Sequence, residues 1–369
     1  MDLPGFGPAG YLPKRLLALA ALLTLLAGMA AGLARFGWFS QAWLAWLAAI
    51  HGPLMLCGFF GVLIGLERAA AMDRAWALLV PGLGVLGSAL LLSGAPWRLA
   101  GAAFCASGLG LAGLHLAFYR RQKALHSGVM LAGAACWLAG NLGWTFSLQV
   151  FRAAPLWAAF LVLLIAGERL ELSRFQKMPG WALPAFRAAV AAVLAGALAA
   201  LADPGWSRRL LGCGLLALAA WLAAYDRGPR LGEPGPQGRF IRQALGLGYF
   251  WLGLAGLAAL LKGVPPAGPG SDAFLHSIFL GYAFSMVLAH GLMIFPPLSG
   301  VRLAFHRGFT AALWALELSL ALRVCGDFFL GWEARRWGGL LNAAAILLFL
   351  ASVPLAALKA ARSRAGEAR

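Results

Sequence analysis

The stretch His51-Gly-Pro-Leu-Met-Leu-Cys-Gly-Phe-Phe-Gly-Val-Leu-Ile-Gly65 is apolar throughout, apart from the histidine that opens it. Runs of this kind recur along the whole chain, which has 369 residues, of which 62% are hydrophobic and 12% are charged, with a mean hydropathy of +0.80. A soluble protein carries about a quarter charged residues. The composition therefore predicts an integral membrane protein.

Twelve apolar runs are long enough to cross a bilayer as helices. They lie near residues 14–33, 43–66, 75–94, 99–118, 124–147, 154–172, 182–202, 209–225, 243–262, 273–295, 308–330 and 337–358. We therefore predict an all-α, polytopic membrane helix bundle that forms a single integral membrane domain over residues 1–369. The Gly- and Pro-rich loop 226–242 suggests two sub-bundles, 1–225 and 243–369.

The net charge is +17, and the positions of the basic residues along the chain explain it. Of the 30 lysines and arginines, 21 fall in connections on one side of the predicted membrane, together with both termini, and eight fall on the other side. By the positive-inside rule, both termini are predicted to be cytoplasmic. The partner of this charge is the lipid bilayer of the cell's inner membrane, and a nucleic-acid partner is not expected.

Histidines sorted by depth indicate a candidate site. His51 on the second run and His276 on the tenth both lie towards the outer surface. Met55 and Gly58 follow His51 at +4 and +7, so on a regular helix they share its face. Such a face suits a flat macrocycle with iron at the imidazole, and two axial imidazoles from two helices suit a haem. We predict His51 and His276 as its axial ligands, with Met55 and Gly58 in contact with it.

A second, weaker metal centre is suggested by His290, also on the tenth run. His276 and His290 are fourteen residues apart, about 21 Å along a helix, so they cannot bind one metal ion. His290 would need a partner towards the cytoplasmic side, either His126 or His115. Because no Cys-x-x-Cys-His motif exists, any haem would be held non-covalently, as haem b.

Acidic and basic residues inside the runs have several interpretations. Glu317 lies deep in the eleventh run, where it could serve a proton path, while Arg323 could hold a haem propionate. Interhelical hydrogen bonding is an equal alternative for both. Arg169 is expected to form an ion pair at the membrane interface or to extend its guanidinium into water.

The motif His51-Gly-x-Leu-Met55 resembles the second helix of subunit I of the haem–copper oxidases and nitric oxide reductases. In those proteins this histidine ligates a low-spin haem together with a histidine from helix ten, the place that His276 occupies here. The pattern His-x-x-x-Met-x-x-Gly-Phe, from His51 to Phe59, also resembles the NnrS family of twelve-span, haem- and copper-associated proteins. The resemblance implies electron transfer, respiration or nitric oxide-related metabolism, copper as a second metal, and respiratory or denitrification complexes as partners.

The departures from these families limit what the resemblance implies. Runs six to eight contain no histidine, the tenth run lacks a His-x-His pair, and Pro53 stands where NnrS has its second histidine. A conventional binuclear haem–copper site is therefore not expected, whereas a low-spin haem remains.

Two other functions stay open. A cofactor-free, twelve-helix secondary transporter is compatible with the span count, the many glycines and a weak echo between the segments that start at His51 and His126. A structural or assembly role beside a respiratory complex cannot be separated from the haem hypothesis by sequence.

Overall fold

The chain folds almost entirely into helices. The computed structural model describes residues 8–39, 45–147, 149–174, 176–202, 204–226, 235–329 and 331–367. Within these ranges there are no strands, and twelve helices are long and apolar enough to cross a membrane. The predicted all-α, polytopic bundle is confirmed, and the chain is a multi-pass membrane protein.

The twelve spanning helices follow one another along the chain with short connections. Their bounds are α1 Tyr11–Arg35, α2 His51–Met72, α3 Ala75–Leu92, α4 Trp97–Arg121, α5 Leu125–Ser147, α6 Val150–Leu172, α7 Ala182–Ala199, α8 Gly205–Tyr225, α9 Pro236–Lys262, α10 Pro269–Ser299, α11 Arg307–Phe328 and α12 Trp332–Ser363.

The second helix begins later than the apolar run 43–66 predicts. A short helix, Ala45–Ala49, precedes it, and Ile50 leaves the helical conformation with φ −97° and ψ 5°. Helix α2 starts afresh at His51 and continues to Met72, beyond the end of the apolar run. The break places His51 in the first turn of its helix.

Two spanning helices contain a π-helical segment that no pattern in the sequence predicts. In α2 the segment Leu54–Phe60 is π-helical, and in α10 the segment Ser277–Phe284 is π-helical. Both segments are buried throughout. One segment starts three residues after His51 and the other starts directly after His276. Because π-helical turns are rare and concentrate at functional sites, this position makes both histidines candidate site residues.

The helices cluster into two compact units. The first contains residues 1–123, 137–153 and 294–301, and its core includes Leu54, Phe104 and Trp137. The second contains residues 124–136, 154–293 and 302–369, with Trp157, Phe186 and Tyr282 fully buried. The predicted linker 226–242 lies within the second unit's range, and its residues 227–234 are outside the described part of the chain.

Glycines allow helices of the second unit to pack with their backbones in contact. A Cβ atom added at Gly256 of α9 would lie 2.8 Å from the carbonyl oxygen of Gly212 and 3.0 Å from Cα of Leu216, both on α8. Small residues of this kind let membrane helices gain van der Waals contact where no hydrophobic effect drives association.

We expect the substitution Gly256→Ala to destabilise the protein by about 1–3 kcal/mol, because the added methyl group would push the α8 backbone away. Gly246→Ala on the same helix is the matched control, since its Cβ would meet nothing within 4 Å. That change should be neutral or stabilising, by up to about 1 kcal/mol. Thermal unfolding in detergent measures both; equal midpoints for the two variants would show that the α8–α9 contact does not require glycine.

Candidate functional site

His51 is held by a backbone carbonyl of the neighbouring helix. Its Nδ1 lies 2.7 Å from the carbonyl oxygen of Gly28 on α1, and the side chain is half-buried. Because a carbonyl only accepts, Nδ1 must carry the proton in this bond, so Nε2 is the nitrogen that carries the lone pair. Metal-binding histidines are oriented in the same way, by an Nδ1–H bond to a carbonyl or carboxylate.

Two glycines of α1 make room for this contact. They form a Gly-x-x-x-Gly pair, Gly28 and Gly32, on one face of α1. A Cβ atom at Gly32 would lie 2.9 Å from Cε1 of His51, and one at Gly28 would lie 2.6 Å from the sulfur of Met55. The imidazole and the thioether therefore pack directly on the α1 backbone.

The rest of the predicted His51 face contacts other helices. Gly58 is closely approached by Thr24 of α1 and Ser88 of α3, whose hydroxyl would lie 2.6 Å from an added Cβ. Met55 and Gly58 are both buried in this packing. Their contact with a cofactor stays a prediction, while the contacts that the structure shows are between helices.

His276 is oriented by a charged pair at the start of α10. Its Nδ1 lies 2.9 Å from the backbone carbonyl oxygen of Asp272 and 3.2 Å from Oδ1 of the same residue. Arg323 of α11 donates two hydrogen bonds to the Asp272 carboxylate, from Nε and Nη2, each of 2.8 Å. A bidentate arginine–carboxylate pair is geometrically specific, so the carboxylate has a defined direction. The imidazole in turn has Nδ1 directed at acceptors, as His51 does.

Of the two interpretations of Arg323, the structure shows interhelical hydrogen bonding, because the guanidinium of α11 binds Asp272 of α10. Contact with a haem propionate stays a prediction. The aspartate precedes the tenth apolar run, and no periodic pattern within the spans could have identified it. Its only sequence signal is the i, i+4 spacing from Asp272 to His276, which places both side chains on one helix face.

His290 belongs to a buried polar cluster of the second unit. Its Nδ1 bonds the carbonyl oxygen of Met286, and its Nε2 meets the guanidinium of Arg169. Arg169 also lies 3.9 Å from the carboxylate of Asp226, which accepts a hydrogen bond from the Tyr249 hydroxyl. Both charged side chains are almost completely buried, with exposed fractions of 4% and 1%.

Of the two alternatives predicted for Arg169, the structure shows the ion pair, with Asp226, and the guanidinium is buried rather than extended into water. Since both ring nitrogens of His290 face protein groups, the structure favours a hydrogen-bonding role for this residue over metal binding. The second metal centre stays a prediction without structural support.

The other three histidines have separate environments. His126 lies 3.9 Å from a carboxylate oxygen of Glu171. His115 is buried, and its ring centroid lies 6.5 Å from that of Phe118. His306 caps α11, because its Nδ1 accepts a hydrogen bond from the backbone N–H of Gly308. In the described ranges no group of three or more histidine, cysteine or acidic side chains is arranged to hold a metal ion. A haem supplies four iron ligands itself and needs only axial ones, so its requirement differs from that of a copper ion.

Comparison with known proteins identifies a family without a known activity. The model of a family described as a domain of unknown function, DUF8744, matches residues 14–358, so the chain belongs to that family. No curated protein and no solved structure gave a significant match.

Proposed function

We propose that this member of the DUF8744 family is a haem-binding protein of the cell's inner membrane in which His51 and His276 are axial ligands of a b-type haem. The observation that carries the proposal is a feature shared by these two histidines. His276 lies directly before one buried π-helical segment, and His51 lies in the turn that precedes the other. Each directs Nδ1 at a backbone carbonyl oxygen. The other four histidines do not combine these features in the described structure.

The donor set matches what haem iron requires. In both imidazoles Nδ1 faces a carbonyl oxygen, which leaves Nε2 as the nitrogen that could bind iron, and both side chains are half-buried. Asp272 adds a carboxylate to the support of His276, and Arg323 fixes that carboxylate. A low-spin haem supplies one-electron transfer when bound, and the protein's part is to hold the iron ligands and tune them through these supports.

The proposed role is electron transfer in respiratory or nitric oxide-related metabolism, with respiratory or denitrification complexes as partners. It follows from the resemblance of the His51 motif to the oxidases and to NnrS. A binuclear haem–copper site is not part of the proposal, because α6, α7 and α8 contain no histidine.

The haem content of the purified protein tests the proposal. We expect the full chain, expressed in haem-replete cells and purified in detergent, to contain haem b at a fixed ratio to protein when measured as its pyridine complex. Folded protein that contains no haem would contradict the proposal.

A secondary transporter remains the second candidate, and one observation favours it. The π-helical segments interrupt regular hydrogen bonding within α2 and α10, whereas the sequence placed helix-breaking residues such as Pro296 and Pro297 only near span ends. Interrupted helices inside the membrane are typical of transporter binding sites. Haem-free, folded protein would make this the leading function.

A further inference from the structure

A carboxylic acid lies at the centre of a spanning helix. Glu317 is at the midpoint of α11, which runs from Arg307 to Phe328, so it is about 15 Å along the helix axis from either end. Its exposed fraction is 4%. An ionisable side chain at this depth is costly and is retained where it has a function.

Two neutral donors hold this carboxyl group. The Ser285 hydroxyl of α10 lies 2.8 Å from Oε1, and the indole N–H of Trp251 on α9 donates to Oε2. Neither partner carries a charge, and no ion pair involves Glu317 in the described structure. The hydrogen bonds fix the position of the carboxyl group without neutralising it.

The surrounding chain is shaped to present these donors. Gly281, inside the π-helical segment of α10, lies beneath Trp251, and an added Cβ would come within 2.8 Å of the indole Cδ1. Ser285 is the residue that directly follows this segment. The wide turn and the glycine thus bring indole and hydroxyl to the same carboxyl group.

Among the described residues, the side chains that contact the Glu317 carboxyl group carry no charge. Helix α9 presents Trp251 and α10 presents Ser285, while α12 meets α11 through Asn342, whose amide lies 2.7 Å from the hydroxyl of Ser319. Arg323, a basic residue within α11, is paired with Asp272. A proton bound to this carboxylate would neutralise it while both hydrogen-bonding partners stay in place.

We propose that Glu317 is a reversible proton-binding site at the centre of the membrane, with Ser285 and Trp251 as positioning residues. When the carboxylate takes up a proton it becomes a neutral acid, and its new O–H donates to the Ser285 oxygen, which changes from donor to acceptor. Trp251 donates to the other oxygen in both states. This site does not depend on haem.

Infrared difference spectroscopy of the full-length protein in detergent tests the proposal. Between an acidic and an alkaline sample we expect the C=O stretching band of a protonated, buried carboxylic acid, shifted to lower frequency in D₂O. The band should be absent in Glu317→Gln and retained in Glu333→Gln, a matched change of an exposed residue at the start of α12. A band that persists unchanged in Glu317→Gln would overturn the proposal.

Two further arms complete the test. Ser285→Ala keeps the carboxyl group but removes one hydrogen bond, so the band should move in frequency, and an unmoved band would contradict the assignment even if Glu317→Gln failed to fold. Replacing sodium by N-methylglucamine should leave the band unchanged. A band that changes with sodium would show that the site binds sodium instead and would overturn the proposal.

Discussion

Replacing either His51 or His276 by alanine is expected to remove most of the haem from the purified protein. The loss should be about tenfold or greater, since removing even a residue that supports a ligand costs roughly 10–100-fold in metal affinity. The haem-to-protein ratio, normalised to folded protein by size-exclusion chromatography, measures the effect.

The control and the rescue separate ligand loss from misfolding. His306→Asn changes a histidine that caps α11, and asparagine is itself a good cap, so the haem content should stay at the wild-type value. Imidazole added during purification should restore haem to the alanine variants, because it replaces the deleted ring. Wild-type haem content in His51→Ala or His276→Ala would refute the assignment of that residue as a ligand.

The substitution Arg169→Leu is expected to give the largest loss of stability. Arg169 lies 3.9 Å from the carboxylate of Asp226, whose exposed fraction is 1%. Breaking a buried pair costs about 3–5 kcal/mol because the remaining charge is left in a medium of low dielectric constant. Unfolding of the variant in detergent, compared with the wild type, measures this loss.

Arg174→Leu is the matched control, because the same change is made just beyond the end of α6 on a side chain that is 45% exposed. Its effect should stay within about 0.5 kcal/mol. The double change Arg169→Leu and Asp226→Asn should recover part of the stability, since it removes the unpaired charge. A single Arg169→Leu variant as stable as Arg174→Leu would show that the buried cluster contributes nothing.

The sequence predicted the number of helices because membrane insertion depends on local composition. Each span must satisfy its own backbone hydrogen bonds and present apolar side chains, and both requirements are visible within one run of about 20 residues. The start of α2 was predicted less accurately, since the break at Ile50 occurs inside an uninterrupted apolar run.

The contacts of the polar residues could not be predicted in the same way. The pairs Arg323 with Asp272 and Glu317 with Trp251 join separate helices, and they depend on which faces meet. Hydrophobic periodicity is weak here because most faces of these helices are apolar. The π-helical segments were also missed, since they depend on packing rather than on a recognisable residue pattern.

The optical spectrum of the purified protein, dithionite-reduced minus air-oxidised and recorded with and without carbon monoxide, tests the central claim most directly. The account predicts a sharp b-type α-band that carbon monoxide leaves unchanged, because two histidines fill both axial positions of the iron. A featureless spectrum of folded protein would contradict haem binding. A spectrum that carbon monoxide shifts would contradict ligation by both His51 and His276.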